Sequence, residues 1–128
     1  MEPVLVDGEW VFCSIPPEVR AGLFTSPIFE FREAEGVTLV LPKQEAERLS
    51  IAGQFLSRMI TLNVFSSLES VGFLAEVTAR LAAHGVSVQP VSAFHHDHLF
   101  VPAARAEECL GILKALAQEH KDSSKFGR

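Results

Sequence analysis

The sequence lacks most of the features that mark an enzyme. Its 128 residues include no tyrosine and two cysteines, Cys13 and Cys109, which stand far apart and outside any CxxC pattern. It contains no GxSxG, GxxxxGK[ST] or GxGxxG motif, so neither a nucleophile nor a phosphate-binding loop is indicated. These absences favour a binding protein that is not an enzyme, with both cysteines reduced in the core.

Long apolar runs and concentrated positive charge are absent as well. No segment approaches the roughly 18 apolar residues of a membrane helix, and the acidic start MEPVLVDGEW lacks the basic flank of a signal peptide. We therefore expect a cytoplasmic protein. Eleven basic and sixteen acidic residues give a net charge of −5, without the basic face that nucleic acid requires. The 48% of hydrophobic residues is enough to build a core.

Apolar periodicity predicts the same order of elements in both halves of the chain. In the first half we expect strands at residues 9–15, 28–33 and 37–41, a short helix after Pro17 and a helix at 43–49. In the second half we expect strands at 59–65, 86–94 and 98–101. A helix reaching about residue 84 should carry on its apolar face Val71, Leu74, Val77 and Leu81. The last helix, from Ala106, should carry on one face Ala106, Cys109, Leu110, Leu113, Leu116 and Ala117. Pro90 cannot donate to a β-ladder and therefore indicates an edge strand.

This duplicated order predicts an α+β, ferredoxin-like fold of tandem βαββα units, with antiparallel sheets and helices on one face. We place the units at residues 1–56 and 57–120, followed by a flexible tail at 121–128. The second unit has no strand pattern after its last helix. Its sheet should therefore be completed by a strand from the other half or from another chain, and a homo-oligomer, most simply a dimer, is expected.

The first segment that could carry chemistry is the strand-to-helix turn Phe65-Ser66-Ser67-Leu68-Glu69-Ser70-Val71-Gly72-Phe73. The N-terminus of a helix offers unpaired N–H groups and a partial positive charge, which suit a carboxylate. Gly72 has no Cβ and allows a ligand or a neighbouring backbone to approach closely. The alternative interpretation is that the serines only cap the helix and Gly72 only permits tight packing.

The second segment is Phe94-His95-His96-Asp97-His98, which places three histidines and a carboxylate within four residues. Imidazoles suit zinc, nickel or copper, so His95, His96 and His98 could form part of a metal site. The turn could instead contact a small-molecule ligand, or it could be a hydrogen-bonded hairpin turn in which Asp97 caps backbone groups. The residues alone leave these three interpretations open.

Several stretches resemble the small bacterial tandem ACT-domain proteins: Glu35-Gly36-Val37-Thr38-Leu39, Ile60-Thr61-Leu62, Ser66-Ser67-Leu68-Glu69-Ser70-Val71-Gly72 and His96-Asp97-His98-Leu99-Phe100-Val101-Pro102. The resemblance runs from Trp10 to about Leu116. It implies a regulatory module that binds an amino acid, usually at an interface between two ACT units, through a strand-to-helix loop and a strand of the facing unit. Carried over to this sequence, the implied contacts are Ser66, Ser67, Val71 and Gly72 on the loop and Phe94, His95 and Asp97 on the hairpin. In the first half, Ser14-Ile15-Pro16-Pro17 replaces the glycine-bearing loop, so we expect no equivalent site there.

The leading hypothesis is therefore a non-catalytic regulatory module with no cofactor. An amino-acid carboxylate would dock on the N–H groups at residues 66–72, its ammonium group would meet Asp97, and Phe73 and Phe94 would set selectivity. The candidate ligand contacts are Ser66, Ser67, Leu68, Val71, Gly72, Phe73, Phe94, His95 and Asp97. The alternatives are a metal-responsive module and a purely structural association domain.

Overall fold

The computed structural model describes the backbone of residues 1–63 and 71–126, and side chains as far as residue 122. These residues form six strands: β1 (Glu2–Ile15), β2 (Phe29–Glu33), β3 (Gly36–Pro42), β4 (Gln54–Asn63), β5 (Gln89–Ser92) and β6 (Asp97–Pro102). They also form four α-helices: α1 (Pro17–Ala21), α2 (Lys43–Arg48), α3 (Phe73–Ala83) and α4 (Ala106–Phe126). A 3₁₀ turn, Ala103–Arg105, precedes α4.

The strands form an antiparallel sheet in the order β2-β3-β1-β4-β6-β5, with the helices on one side. The predicted ferredoxin-like fold is therefore confirmed. The chain divides into an N-terminal unit, Gly8–Ser57, and a C-terminal unit made of Met1–Asp7 and Arg58–Arg128. Both β1 and β4 cross this division, so each unit takes one part of each of these two strands.

The N-terminal unit is organised around the central strand β3. β3 pairs with β1 over residues 10–15 on one side and with β2 on the other. Every second residue of β3, namely Val37, Leu39 and Leu41, joins a buried core that also includes Ala46 of α2. The β2–β3 hairpin matches the prediction, because Gly36 adopts a φ of +154° directly after the two-residue turn.

The C-terminal unit has a larger core between its strands and helices α3 and α4. The core residues recur at helical spacing on α3 and α4 and at alternate positions on the strands: Ile60, Leu62, Val77, Leu81, Val86, Leu99, Val101, Ala106, Cys109, Leu113 and Leu116. The predicted apolar face of α4 is therefore confirmed. An ion pair between Arg80 and Glu119, at 2.7 Å, links the two helices, and the Nε2 of His120 lies 2.7 Å from a carboxylate oxygen of Glu76.

The sheet of the C-terminal unit is completed from the other end of the sequence. Residues 2–7 of β1 belong to this unit and lie beside β4, so the missing strand comes from the same chain. The sequence predicts that β1 starts at residue 9, because Asp7-Gly8 has the composition of a turn. The strand instead continues through Gly8, whose φ of +108° fits a glycine within an extended segment.

The start of α3 differs from the prediction, whereas the state of the two cysteines agrees with it. Val71 was expected on the apolar face of α3, and this was wrong: the helix begins at Phe73, and Val71 is 96% exposed. Cys13 and Cys109 are free and buried, as predicted. Burial raises the pKa of both thiols, which suits inert core residues better than nucleophiles. The predicted edge strand at Pro90 is confirmed, because β5 ends the strand order.

Candidate functional site

The start of α3 has the geometry of an anion-binding helix terminus. Gly72 is the N-cap residue and adopts a left-handed conformation, with φ of +89° and ψ of −20°. Its carbonyl accepts the first helical hydrogen bond, from the N–H of Glu76 at 3.0 Å. No side chain caps this terminus within the described residues. The first N–H groups of the helix are thus oriented towards an acceptor that the described side chains do not provide.

The predicted contacts around this terminus have different surroundings. Phe73 is half-buried and packs against the core of the C-terminal unit, whereas Val71 is almost fully exposed. No heavy atom of the described residues lies within 4 Å of the position that a Cβ on Gly72 would take. The glycine is therefore required by its backbone conformation and not by a close neighbour. Ser66, Ser67 and Leu68 lie outside the described residues.

The β5–β6 turn holds the second group of predicted contacts. Its backbone closes with a hydrogen bond from the N–H of Ala93 to the carbonyl of His96 at 3.0 Å. Asp97, expected in the turn, is the first residue of β6, and its Oδ1 accepts a hydrogen bond of 2.6 Å from the hydroxyl of Ser92. Ser92 and Asp97 are directly paired in the ladder, so the carboxylate is held next to the turn of the hairpin.

An exposed aromatic pair stands at the tip of the same turn. The Phe94 ring is 75% exposed and meets the His95 ring edge-on, with ring centroids 4.9 Å apart and an interplanar angle of 71°. A large exposed ring is costly to leave in water, and it offers apolar surface to a ligand side chain. The hairpin therefore places a carboxylate and an apolar ring close together.

His98 is turned away from the core. On β4 and β6 the core residues alternate with Thr61 and His98, so these two side chains lie on the opposite face of the sheet. The Thr61 hydroxyl and the His98 Nδ1 are 3.0 Å apart. Burial lowers the pKa of His98, and the nearby His96 lowers it further, against a smaller opposing effect of Asp97. His98 therefore favours its neutral form.

The histidines do not gather around one point. The ring centroids of His95 and His96 are 6.4 Å apart, as are those of His96 and His98. Across residues 1–63 and 71–122, no group of three or more His, Cys, Asp or Glu side chains could hold a metal ion. The Nδ1 of His96 is buried and has no hydrogen-bond partner in this part of the chain. Nothing in this arrangement favours the metal interpretation.

Strand order places the hairpin beside the strand that precedes α3 in the sequence. β4 and β6 are adjacent and antiparallel, so the end of β4 lies beside the start of β6. The Thr61–His98 contact joins the two strands near this end. The hairpin with its carboxylate and exposed ring is therefore next to the end of β4.

Sequence reasoning missed two residues of this site, Ser92 and Thr61. Each positions a predicted residue: Ser92 holds Asp97, and Thr61 contacts His98. Ser92 had a usable signal, because the register of a hairpin with a four-residue connection places it opposite Asp97. Thr61 had none, because it lies on a strand that is far from the hairpin in sequence.

The corresponding position in the N-terminal unit is built differently. There the strand-to-helix connection enters α1, which has five residues, with Pro16 as N-cap and Pro17 as its first residue. Proline has no backbone N–H, so this terminus has fewer free donors than α3. It also lacks a left-handed glycine, because Pro16 has a φ of −63°. The sequence predicted that the two halves differ at their strand-to-helix connections, and the structure shows this difference in the N-cap residues of α1 and α3.

Two ACT-domain family models match the chain in tandem, one over residues 1–58 and the other over residues 55–119. The chain therefore belongs to the ACT-domain family, as its resemblance implied. ACT domains are typically ligand-binding regulatory modules.

The comparison with solved structures finds the same fold in several bacterial proteins. A Vibrio cholerae protein of unknown function, described as a possible transport protein, is 37% identical, with a TM-score of 0.83 over 91% of this chain and 89% of that chain. The ligand-free regulatory subunit of aspartate kinase from Thermus thermophilus is 14% identical, with a TM-score of 0.63 over 90% and 96% of the two chains. An Agrobacterium tumefaciens protein is 17% identical, with a TM-score of 0.67 over 89% and 87%. At these lower identities the likeness shows the fold alone. No curated protein matches the chain.

None of the helices within the described residues is both long enough and apolar enough to span a membrane.

Proposed function

We propose that this protein is a regulatory module that binds a free amino acid in the C-terminal unit and has no catalytic activity of its own. The observation that carries the proposal is the uncapped N-terminus of α3, and the Asp97 carboxylate beside the end of β4, the strand that precedes α3 in the sequence, supports it. An amino acid presents a carboxylate and an ammonium group, which match these two features in charge. Membership of the ACT-domain family supports the same class of ligand.

The roles of the residues follow from their surroundings. The ligand carboxylate would accept hydrogen bonds from the N–H groups after Gly72, and its ammonium group would donate to Asp97. Ser92 would keep the Asp97 carboxylate oriented, since their oxygen atoms are 2.6 Å apart. The exposed Phe94 ring, with His95 against it, would cover the ligand side chain. Phe73, the partly buried first residue of α3, would border the site from the other side.

The proposal assigns one site to each chain and places the protein in the cytoplasm. The proline-bearing entry to α1 supports the single site, because it supplies fewer N–H donors than the entry to α3.

A thermal-shift screen of the twenty amino acids tests the ligand class directly. A ligand at about 100 times its Kd adds about 2.7 kcal/mol to the free energy of unfolding, which raises the Tm of a chain of this size by roughly 10 °C. We expect one amino acid, or one chemical group of them, to produce this shift. A folded sample that responds to none of the twenty would contradict the proposal and would favour a purely structural association domain.

Asp97→Asn tests the position of the site. The substitution keeps the shape of the side chain and an oxygen that can accept the Ser92 hydroxyl, but it removes the charge that the ammonium group would meet. We expect the ligand-induced shift to be lost. Asp122→Asn is the matched control, because Asp122 lies on the exposed surface of α4 and accepts a hydrogen bond from Gln118 at 3.1 Å. An equal response of both variants would place the ligand elsewhere.

A further inference from the structure

The C-terminal unit contains a cavity of about 590 Å³ between the first part of β1 and helix α4. All the residues that line it belong to this unit, and none of them belongs to the amino-acid site proposed above. The more buried residues of the lining form the inner wall of the cavity: Pro3, Leu5, Leu110 and Arg58. The exposed charged residues form its rim: Glu2, Asp7, Glu107 and Lys114.

Arg58 is a cation without a carboxylate partner in the inner wall. It lies on the core face of β4, because it alternates along the strand with the same period as Ile60 and Leu62. Its Nη2 donates a hydrogen bond to the carbonyl of Val6 at 3.2 Å, and its buried Nε has no hydrogen-bond partner within residues 1–63 and 71–122.

Such an arginine is normally paired with an acidic side chain. Arg58 forms no ion pair with any side chain that the structure describes, although three carboxylates line the same cavity. A guanidinium group carries five N–H donors, so most of those of Arg58 have no acceptor. Arg58 can therefore donate hydrogen bonds to a carboxylate that enters the cavity.

The rim adds the opposite charge. The carboxylates of Asp7 and Glu107 form neither a hydrogen bond nor an ion pair with the described side chains, so both can accept from an ammonium group. Lys114, the basic residue of the rim, lies seven residues from Glu107, which is about 10 Å along the axis of α4. Leu110 lies between them on the same face of the helix, so the charged groups are separated by apolar surface.

We propose that this cavity binds an ω-amino carboxylate, a small aliphatic molecule with a carboxylate at one end and an ammonium group at the other. The carboxylate accepts hydrogen bonds from Arg58 at the inner wall, and the methylene chain lies against Leu5 and Leu110. The ammonium group meets the carboxylates of Asp7 and Glu107 at the rim.

The lining selects against simpler molecules of related chemistry. The acidic rim repels a plain carboxylate, and Arg58 repels a diamine. An α-amino acid carries both of its backbone charges on one carbon atom, so it cannot place one at the inner wall and the other at the rim. The inference goes beyond the proposed amino-acid site and does not depend on it, because the two sites share no residue.

Calorimetric titration of the full chain tests the class of ligand. The probes are the ω-amino carboxylates of three to eight carbon atoms, each with the plain carboxylate and the diamine of equal length. We expect one chain length to bind most tightly, and its two comparison compounds to bind at least about tenfold more weakly, since each lacks one of the two charged contacts. Absence of binding by the whole series, or equal binding of a comparison compound, would overturn the proposal.

Two substitutions test the position of the site with the probe that binds most tightly. Glu107→Gln removes a charge from the exposed surface of α4 and should weaken binding about tenfold. Glu47→Gln is the matched control, because Glu47 is an exposed helical residue outside the cavity, and it should leave the Kd unchanged.

Arg58→Lys tests the inner wall, because lysine keeps the positive charge but lacks the planar fork that a carboxylate pairs with. We expect weaker binding with an unchanged Tm of the free protein. If this variant does not fold, Glu107→Gln still decides the matter, since its side chain lies at the surface. A Kd that Glu107→Gln does not change, or changes no more than Glu47→Gln does, would show that the ligand binds elsewhere.

Discussion

Replacing Gly72 and Gly85 by alanine, one at a time, separates the cost of a left-handed backbone from an effect on ligand binding. The two glycines flank α3 and have φ values of +89° and +72°. No heavy atom of the described residues lies within 4 Å of a Cβ built on either one. Each substitution therefore adds backbone strain without a steric clash, which costs about 1–2 kcal/mol per residue.

The two variants should consequently lose similar stability and differ in ligand response. Their Tm values should fall by roughly 3–10 °C. Gly72→Ala adds a methyl group where the ligand carboxylate would approach the first N–H groups of α3, so the shift produced by the amino acid should shrink or disappear. Gly85→Ala, at the far end of the helix, should retain the full shift.

Chemical denaturation with and without the amino acid provides the assay, since it gives the free energy of unfolding for each variant. If Gly72→Ala kept the full ligand shift, the carboxylate would not bind at this helix terminus. If it were several kcal/mol less stable than Gly85→Ala, the claim that only its backbone conformation requires glycine would be wrong.

Three further substitutions test the fold and the electrostatics. Gly53→Ala would place its Cβ 2.6 Å from the Cβ of Val11, so we expect a loss of about 1–3 kcal/mol in urea denaturation, and a smaller loss in a Val11→Gly background. Leu113→Ala removes a fully buried side chain from α4 and should cost about 2–5 kcal/mol by the same assay; a negligible loss would contradict its place in the core. The pKa of His98 is lower in the folded protein than its ordinary value of 6.5, so His98 takes up a proton more readily in the unfolded chain. The free energy of unfolding of the wild type should therefore fall as the pH drops below about 6.5. His98→Gln should flatten the dependence of Tm on pH between about 7 and 5, and a slope as steep as that of the wild type would contradict the lowered pKa.

The sequence predicted those parts of the fold that depend on local pattern. Pro90 predicted the edge position of β5 because proline has no N–H group to donate to a second neighbouring strand, whatever its surroundings. The helical spacing of Cys109 and Leu113 predicted the buried face of α4, since one face of a helix must pack on the sheet. The resemblance to the ACT-domain family rests on short motifs, and the residues of these motifs form turns and core positions of the fold.

The failures concern pairing between distant segments. Asp7-Gly8 looks like a turn, but β1 continues through it, because pairing with distant strands outweighs local preference. The predicted start of β4 at Met59 is wrong as well, because the strand begins at Gln54. The start of α3 was predictable in principle, because glycine is tolerated at the N-cap position and Gly72 directly precedes the helix.

The candidate site was predictable as two segments but not as an arrangement. Motif and composition pointed to Asp97 and Gly72, and the antiparallel neighbours β4 and β6 bring the hairpin at Asp97 beside the end of β4. The role of Ser92 could have been read from the hairpin register, whereas the contact of Thr61 with His98 depends on the pairing of strands that are distant in sequence, which composition does not encode. The assignment of individual ligand contacts stays a prediction.

The division of β1 also has a consequence for the order in which the protein is made. Residues 1–7 leave the ribosome before the rest of the C-terminal unit, and the strand beside which they lie, the second part of β4, follows about fifty residues later. The N-terminal unit, Gly8–Ser57, is continuous in sequence and can fold before residues 1–7 have a strand with which to pair. An affinity tag or a deletion at the start of the chain would therefore disturb the unit that is synthesised last.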